Sequence, residues 1–254
     1  MDDALVANDA IQLSIVVPAL NEVDNVGPLV DEVEAAMNGR IERFELIVVD
    51  DGSDDGTDAK LTELAGDRPW LRVLRREQRQ GQSSAMAAGI FAARGEAVAF
   101  LDADLQNDPA ELPDMFDRLH RENVDLVQGD RSRNRRDSFM KRRASVVGRT
   151  FRRVFLGDTV RDTGCSARVL RASYAKRLPL EFKGMHRFIP AFSSMLGANV
   201  VEHEVVHRSR AAGVTKYGVG VFSRGAAGFM DLLAVRWMGK RLRPTETREL
   251  TASN

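Results

Sequence analysis

The residues best placed for chemistry are Asp102 and Asp104, two carboxylates one residue apart that follow the apolar run Ala97-Val-Ala-Phe-Leu101. At a strand end such a pair can turn oxygens towards one hard divalent cation. Mg2+ and Mn2+ prefer oxygen ligands and commonly share them with substrate phosphates. Gln106, two residues on, offers a neutral oxygen from the same turn. The predicted metal set is therefore Asp102, Asp104 and Gln106, with Mg2+ or Mn2+ as cofactor. The plainer alternative is a polar loop with a helix-capping aspartate. A cation held there would offset charge developing on a departing diphosphate.

A second carboxylate pair, Asp50 and Asp51, closes another apolar run, Phe44-Glu-Leu-Ile-Val-Val-Asp50, and is followed by Gly52-Ser53. These side chains could accept hydrogen bonds from a nucleobase or ribose. They equally suit a turn that caps the next helix. Glu22, beyond the run Leu13-Ser-Ile-Val-Val-Pro18, is a third such candidate. As a lone carboxylate it also fits a helix start.

The elements that must position these groups alternate. Strands are predicted at 13–18, 44–50, 71–74, 97–101 and 124–128, and helices at 22–37, 54–64, 82–93 and 109–121. This rhythm predicts an α/β fold with a mostly parallel sheet and helices on both faces. Ligands of such sheets bind beyond the carboxyl ends of the strands, where all three acidic motifs fall. After residue 130 the rhythm breaks; a strand is predicted at 198–208 and an amphipathic helix at 221–241.

At 254 residues one large domain is the simplest division. No run of apolar residues is long enough to span a bilayer, and the acidic N-terminus does not read as a secretory signal. Cys165 is alone, which excludes an internal disulfide. The net charge of zero hides an asymmetry. Residues 1–130 hold 28 acidic and 11 basic side chains, and residues 131–254 hold 9 and 26. A basic half points to an anionic partner.

Four motifs in order carry a resemblance. Val16-Val-Pro-Ala-Leu-Asn-Glu22, Val48-Val-Asp-Asp-Gly-Ser53, Gly81-Gln-Ser-Ser-Ala-Met86 and Leu101-Asp-Ala-Asp-Leu-Gln-Asn107 resemble the family 2 glycosyltransferases. More narrowly they are similar to the polyprenyl-phosphate glycosyltransferases, including the dolichyl-phosphate mannosyltransferases and bacterial undecaprenyl-phosphate enzymes. The match runs from about Leu13 to Gly218. It implies a GT-A fold and an inverting transfer from a UDP- or GDP-linked sugar. It implies that Pro18, Ala19, Leu20, Glu22, Asp50 and Asp51 line the nucleoside pocket, with Gln82, Asp102 and Ala103 also on the nucleotide, and that Asp102, Asp104 and Gln106 carry metal and diphosphate. Asp162-Thr-Gly-Cys-Ser-Ala-Arg168 and His207-Arg208-Ser-Arg210-Ala-Ala-Gly213-Val-Thr-Lys216-Tyr-Gly218 resemble the family's downstream segments, the second closing over the phosphates. Two departures stand out. The pair of C-terminal transmembrane helices found in many bacterial relatives is lacking, and Gln82-Ser83-Ser84 lacks the Lys of some mannosyl members.

A phosphate acceptor needs no general base, only neutralisation and orientation, for which arginine is suited. Asp104, Arg208 and Lys216 are the predicted catalytic residues, and Arg131, Arg133 and Arg210 the predicted acceptor-phosphate ligands. The expected layout is a flexible stretch at 1–12, a catalytic domain at 13–218 with a basic acceptor- or membrane-facing segment at 131–153, an amphipathic interfacial helix at 219–243, and a loose tail at 244–254. The expected location is the inner face of the cytoplasmic membrane, as a peripheral protein, with a membrane-protein partner allowed and nucleic acid disfavoured. Two alternatives stay open. One is a family 2 enzyme with a hydroxyl acceptor, which would need a base such as Asp158, Asp162 or Glu181. The other is a non-catalytic sugar-nucleotide-binding subunit. His120, His186, His203 and His207 have no metal-ligand spacing with Cys165 and are assigned structural roles.

Overall fold

The computed structural model describes residues 10–132, 150–208 and 221–243, with side chains from residue 228 in the last segment. Arg133, Arg210 and Lys216 lie outside the described residues, as do most of the predicted flexible N-terminus and the whole of the predicted loose tail.

Strands β1 (Leu13–Ala19), β2 (Phe44–Asp50), β3 (Leu71–Arg75) and β4 (Ala97–Phe100) run parallel in the order β3-β2-β1-β4. They are joined by helices α1 (Val23–Met37), α2 (Thr57–Ala65) and α3 (Gln82–Ala92). The strands are continuous β-branched runs because both faces of the sheet are covered. Successive side chains alternate between faces. Leu13, Ile15 and Val17 enter one core with Val26, Leu29 and Val33 of α1, while Val16 enters the other with Met86 and Ile90 of α3. Helix α4 (Glu111–Arg121) adds Leu112, Met115 and Leu119 to the first core.

Helix α3 lies unusually close to β1. A Cβ at Gly89 would sit 2.3 Å from Val16 Cγ1. Glycine there, among small residues Ala85, Ala87 and Ala88, lets the helix settle onto the strand. Its first turn then reaches the end of β4.

The second half completes a seven-stranded sheet ordered β3-β2-β1-β4-β6-β5-β7, with β5 at Leu126–Asp130, β6 at Arg168–Arg171 and β7 at Val200–Glu204. β5 and β7 are parallel, but β6 runs antiparallel to both β4 and β5. The sheet is therefore mostly parallel, as expected, and β6 is its reversed strand, a position that the periodicity did not mark. β6 is four residues long and has an arginine at each end, so no apolar run marks it. The strand predicted at 198–208 is shorter, and beyond it His207 forms an isolated antiparallel bridge with Asn107. Helices α5 (Ala172–Ala175), α6 (Ile189–Met195) and α7 (Val221–Arg241) follow, with a 3-10 turn at Met185–Phe188 between α5 and α6 and a helical segment at 150–156 before β6. The predicted polar side of α7 is not clean. Leu232 and Val235 are buried while Phe229, Leu233 and Trp237 are exposed, so the helix is apolar on two sides.

Candidate active site

The carboxyl ends of β1, β2 and β4 bring the acidic motifs together. Asp51 N–H donates to the Ala19 carbonyl (2.9 Å), and Leu101 N–H donates to the Val16 carbonyl (3.3 Å), so each motif begins where the ladder ends. Two sharp turns follow. Asn21 (φ 53°) and Leu105 (φ 59°) hold left-handed backbone conformations. For leucine this costs about 1 kcal/mol or more and persists only where surroundings enforce it. Leu105 is buried in the first core, and that burial holds the turn directly after Asp104.

Asp102 and Asp104 occupy this turn. Asp104 is buried and its Oδ1 accepts from Gln106 N–H (3.2 Å). Asp102 is partly buried and its Oδ1 accepts from Gln82 Nε2 (2.9 Å), the first residue of α3. Burial and then the charge of Asp104 push the Asp102 carboxyl up, while Ser166, Arg168 and Arg131 pull it down. Two partly desolvated carboxylates side by side form a negative pair that a divalent cation would relieve. Among the described residues no group of three His, Cys, Asp or Glu could hold an ion. The pair fits a divalent cation that would take further ligands from a substrate's phosphates.

Asp50 and Asp51 divide their work. Asp51 is spent on the wall of the site: it accepts from Gln80 N–H (3.0 Å), Gly81 N–H (2.7 Å) and Arg76 Nη1 (3.2 Å). Arg76, which sequence reasoning missed, also reaches Ser84 (2.9 Å) and so clamps the loop leading into α3. Asp50 is fully buried. Its Oδ1 takes Ser53 N–H (3.0 Å), while Oδ2 has only Arg75 at 3.4 Å and no hydrogen-bond partner. It is the carboxylate of the pair with an acceptor to spare. Glu22 heads α1 and accepts from Asn25 Nδ2 (2.6 Å), and its N–H donates to Thr57 (2.9 Å). Pro18 and Ala19 end β1, paired to Val49 and Asp50 in the ladder, and Leu20 opens the bend that leads to Glu22. Ala103 is buried.

The predicted cations are placed differently. Arg131 is buried and bidentate with Asp162, Nε to Oδ2 at 2.8 Å and Nη2 to Oδ1 at 3.2 Å. Burial alone would weaken its charge; Asp162 raises it above the ordinary value. Arg208 N–H donates to the Gln106 carbonyl (2.9 Å), and its guanidinium bridges Glu32 (2.7 Å) and Asp108. It therefore ties α1, the aspartate turn and the 207–208 segment together.

Behind Asp102 lies Arg168 of β6, buried in the sheet, donating to the Cys165 and His186 carbonyls and leaving Nε without a hydrogen bond. Burial lowers its pKa to about 10. His186 Nδ1 lies 2.7 Å from Ser83 Oγ in the first turn of α3, and burial, then Arg187 and Arg168, lower its pKa to about 4. A neutral imidazole thus braces the helix that holds Gln82 against Asp102. Cys165 is buried and its thiol is pushed up to about 11 by burial, so it is no nucleophile. His203 Nε2 lies 3.6 Å from Glu111.

Comparison with known proteins agrees with this geometry. The family model for glycosyl transferase family 2 matches residues 14–178. The chain is 40% identical over 250 residues to a dodecaprenyl-phosphate galacturonate synthase of Rhizobium johnstonii, covering 93% of this chain and 71% of that one. It is 34% identical over 209 residues to an undecaprenyl-phosphate 4-deoxy-4-formamido-L-arabinose transferase of Edwardsiella ictaluri, covering 82% of this chain and 63% of that one. Among solved structures, glucosyl-3-phosphoglycerate synthase of Mycobacterium tuberculosis, bound to Mn2+, UDP and glucosyl-3-phosphoglycerate, matches with a TM-score of 0.65 at 22% identity, over 94% of this chain and 84% of that one. A mannosyltransferase of Pyrobaculum calidifontis, bound to GDP-Man and Mn2+, matches with a TM-score of 0.61 at 18% identity, over 93% and 66%. The fold is the GT-A fold that the motifs imply. Among the described residues no helix is long and apolar enough to cross a membrane. With the acidic turns, the sheet order and the matched model in agreement, this chain belongs to glycosyl transferase family 2 and is a glycosyltransferase.

Proposed function

We propose that this chain transfers one sugar, with inversion, from a nucleotide diphosphate sugar to a polyprenyl phosphate, working peripherally at the cytoplasmic face of the membrane. The observation that carries the reading is the Asp102–Asp104 pair at the end of β4, beside Asp50 with its spare acceptor at the end of β2. The lipid acceptor is supported by the names of the two relatives, which use dodecaprenyl and undecaprenyl phosphate. Asp50, Glu22 and the end of β1 with Pro18, Ala19 and Leu20 receive the nucleoside. Asp102, Asp104 and Gln106 hold Mg2+ or Mn2+, which when bound neutralises charge gathering on the leaving diphosphate. Gln82 orients Asp102, and Ala103 sets the spacing.

The acceptor phosphate is ionised near neutral pH, with a second pKa of about 6, and attacks without a base. As its oxygen bonds to the anomeric carbon, the bond to the diphosphate oxygen breaks and the electron pair leaves with the nucleoside diphosphate. Arg133, Arg210 and Lys216 are the cations we assign to the phosphates. Arg131 is held by Asp162, and Arg208 by Asp108 with Glu32. The pairing of Asp162 with Arg131 weighs against Asp162 as the base of the hydroxyl-acceptor alternative, because both of its oxygens are engaged with the guanidinium.

The test is binding as well as turnover. A nucleotide diphosphate should bind more tightly with Mn2+ than with chelator, by calorimetry. Asp104→Ala should lose that difference and about 10³-fold or more in transfer to a prenyl phosphate. Binding unchanged by chelator, with transfer surviving in the Asp102→Ala/Asp104→Ala double variant, would overturn the assignment.

A further inference from the structure

Helix α7 has two apolar sides, and only one is covered. Leu232 and Val235 pack into the core, while Phe229, Leu233 and Trp237, spaced four apart, line the solvent side. A surface helix with one docked face carries polar residues opposite. Here Trp237 is 59% exposed and Phe229 45%. The helical segment at 150–156 extends the same surface. The Phe151 and Phe155 rings lie 6.4 and 6.3 Å from Phe229, and Val154 is 70% exposed. Two stretches distant in sequence thus build one continuous apolar face, which in a soluble protein marks an interaction site.

The charge around this face selects its partner. The Arg241 guanidinium stands 4.7 Å over the Trp237 ring, and Arg153, Lys240 and Arg243 are exposed nearby. Arg152 pairs with Asp158 at 3.6 Å and Arg236 donates to the Phe155 carbonyl at 2.6 Å, and across residues 150–156 and 228–243 the exposed Arg153, Lys240, Arg241 and Arg243 stand against Asp231 as the one acidic residue. A second copy meeting the same face would set these cations against their own kind. An anionic bilayer would receive them, each worth about 1 kcal/mol near the surface, while the aromatic rings enter the headgroup boundary.

We propose that the face built from residues 150–156 and the Phe229–Trp237 side of α7 docks the enzyme flat onto an anionic lipid bilayer. This rests on the lipid-acceptor reading above and names the surface that meets the membrane. It would hold the enzyme against the leaflet in which a prenyl phosphate is anchored.

The test uses the full chain and vesicles of phosphatidylcholine with or without phosphatidylglycerol. The chain should float with the anionic vesicles, and Phe229→Ser/Trp237→Ser should bind them about tenfold more weakly or worse. Transfer to a short, water-soluble prenyl phosphate should be the same in parent and variant. The chain has two tryptophans, and Trp70 packs on Phe44 at 5.0 Å. In a Trp70→Phe background, Trp237 emission should therefore shift to the blue on adding anionic vesicles. Equal binding by the double variant, no binding by the parent, or an unshifted Trp237 would overturn the proposal. So would a dimer that dissociates in the double variant while the parent ignores vesicles, which would assign the face to a second copy. Transfer to the short acceptor without vesicle binding would remove the docking face and leave the reaction standing; vesicle binding without transfer to any prenyl phosphate would do the reverse.

Discussion

Replacing Asp162 by Asn removes one charge from the buried pair with Arg131 while keeping the shape. Both carboxylate oxygens are engaged with the guanidinium, at 2.8 and 3.2 Å, and Oδ1 also accepts from Gly164 N–H at 3.2 Å. Asparagine supplies one acceptor and turns an NH2 group towards an N–H donor. Arg131, itself buried, then keeps its charge without its hydrogen-bonded counter-ion, with only the more distant Asp102 charge to offset it. Breaking a buried pair in this way costs about 3–5 kcal/mol. For a protein of this size each kcal/mol lowers the melting temperature by roughly 2–4 °C. Asp162→Asn should therefore melt roughly 6–20 °C below the parent. Calorimetric or dichroism melts measure this directly. Arg131→Met/Asp162→Leu, which removes both charges, should recover much of the loss. A melting temperature for Asp162→Asn within about a degree of the parent would refute the reasoning. A large loss of transfer at unchanged stability would instead revive Asp162 as a base.

Two further outcomes follow from the same cores. The folded pKa of His186, about 4, lies below its ordinary 6.5, so the folded protein resists protonation there. Its contribution is complete above pH 6.5 and is lost as pH falls from 6.5 to 4, by at most about 3 kcal/mol. Urea midpoints across that range should show a slope that His186→Gln lacks; parallel curves for the two proteins would exclude it. Gly89→Ala should cost about 1–3 kcal/mol by forcing α3 off Val16, and Val16→Ala in the same chain should relieve part of the cost. A Gly89→Ala protein as stable as the parent would show that α3 shifts freely.

What was legible in the sequence was whatever local order encodes. The runs that became β1, β2 and β4 are apolar throughout because both faces are buried, and each ends at its acidic motif, so the edge that holds the candidate site could be found from spacing alone. What pairs with what across the sheet could not. Arg131 and Asp162 stand thirty-one residues apart, and Arg208 meets Glu32 at a separation of 176. The four arginines predicted for the site therefore divide into Arg131 and Arg208, tied up by carboxylates, and Arg133 and Arg210, outside the described residues. Strand β6 was hidden for a related reason. Arg168 is buried where a sheet strand usually shows an apolar side chain, and only its long-range neighbours, the Cys165 and His186 carbonyls and the Asp102 charge, account for it. Asp51 lies in a legible motif, but its hydrogen bonds from the backbone of residues 80 and 81, about thirty positions on, could not be read from spacing.

The reversed strand also bears on how the molecule is made. Because β6 lies between β4 and β5, residues 126–130 have no seat beside β4 until residues 168–171 have been synthesised. During that interval a growing chain presents β4 as an open edge, the kind of surface on which nascent chains stick to one another. Arg168 arrives behind Asp102 in that same late step. Maturation of the acidic turn is thereby coupled to closure of the sheet, and a ribosome stalled in the intervening stretch would hold out a half-sheet whose aspartates lack their buried counter-charge.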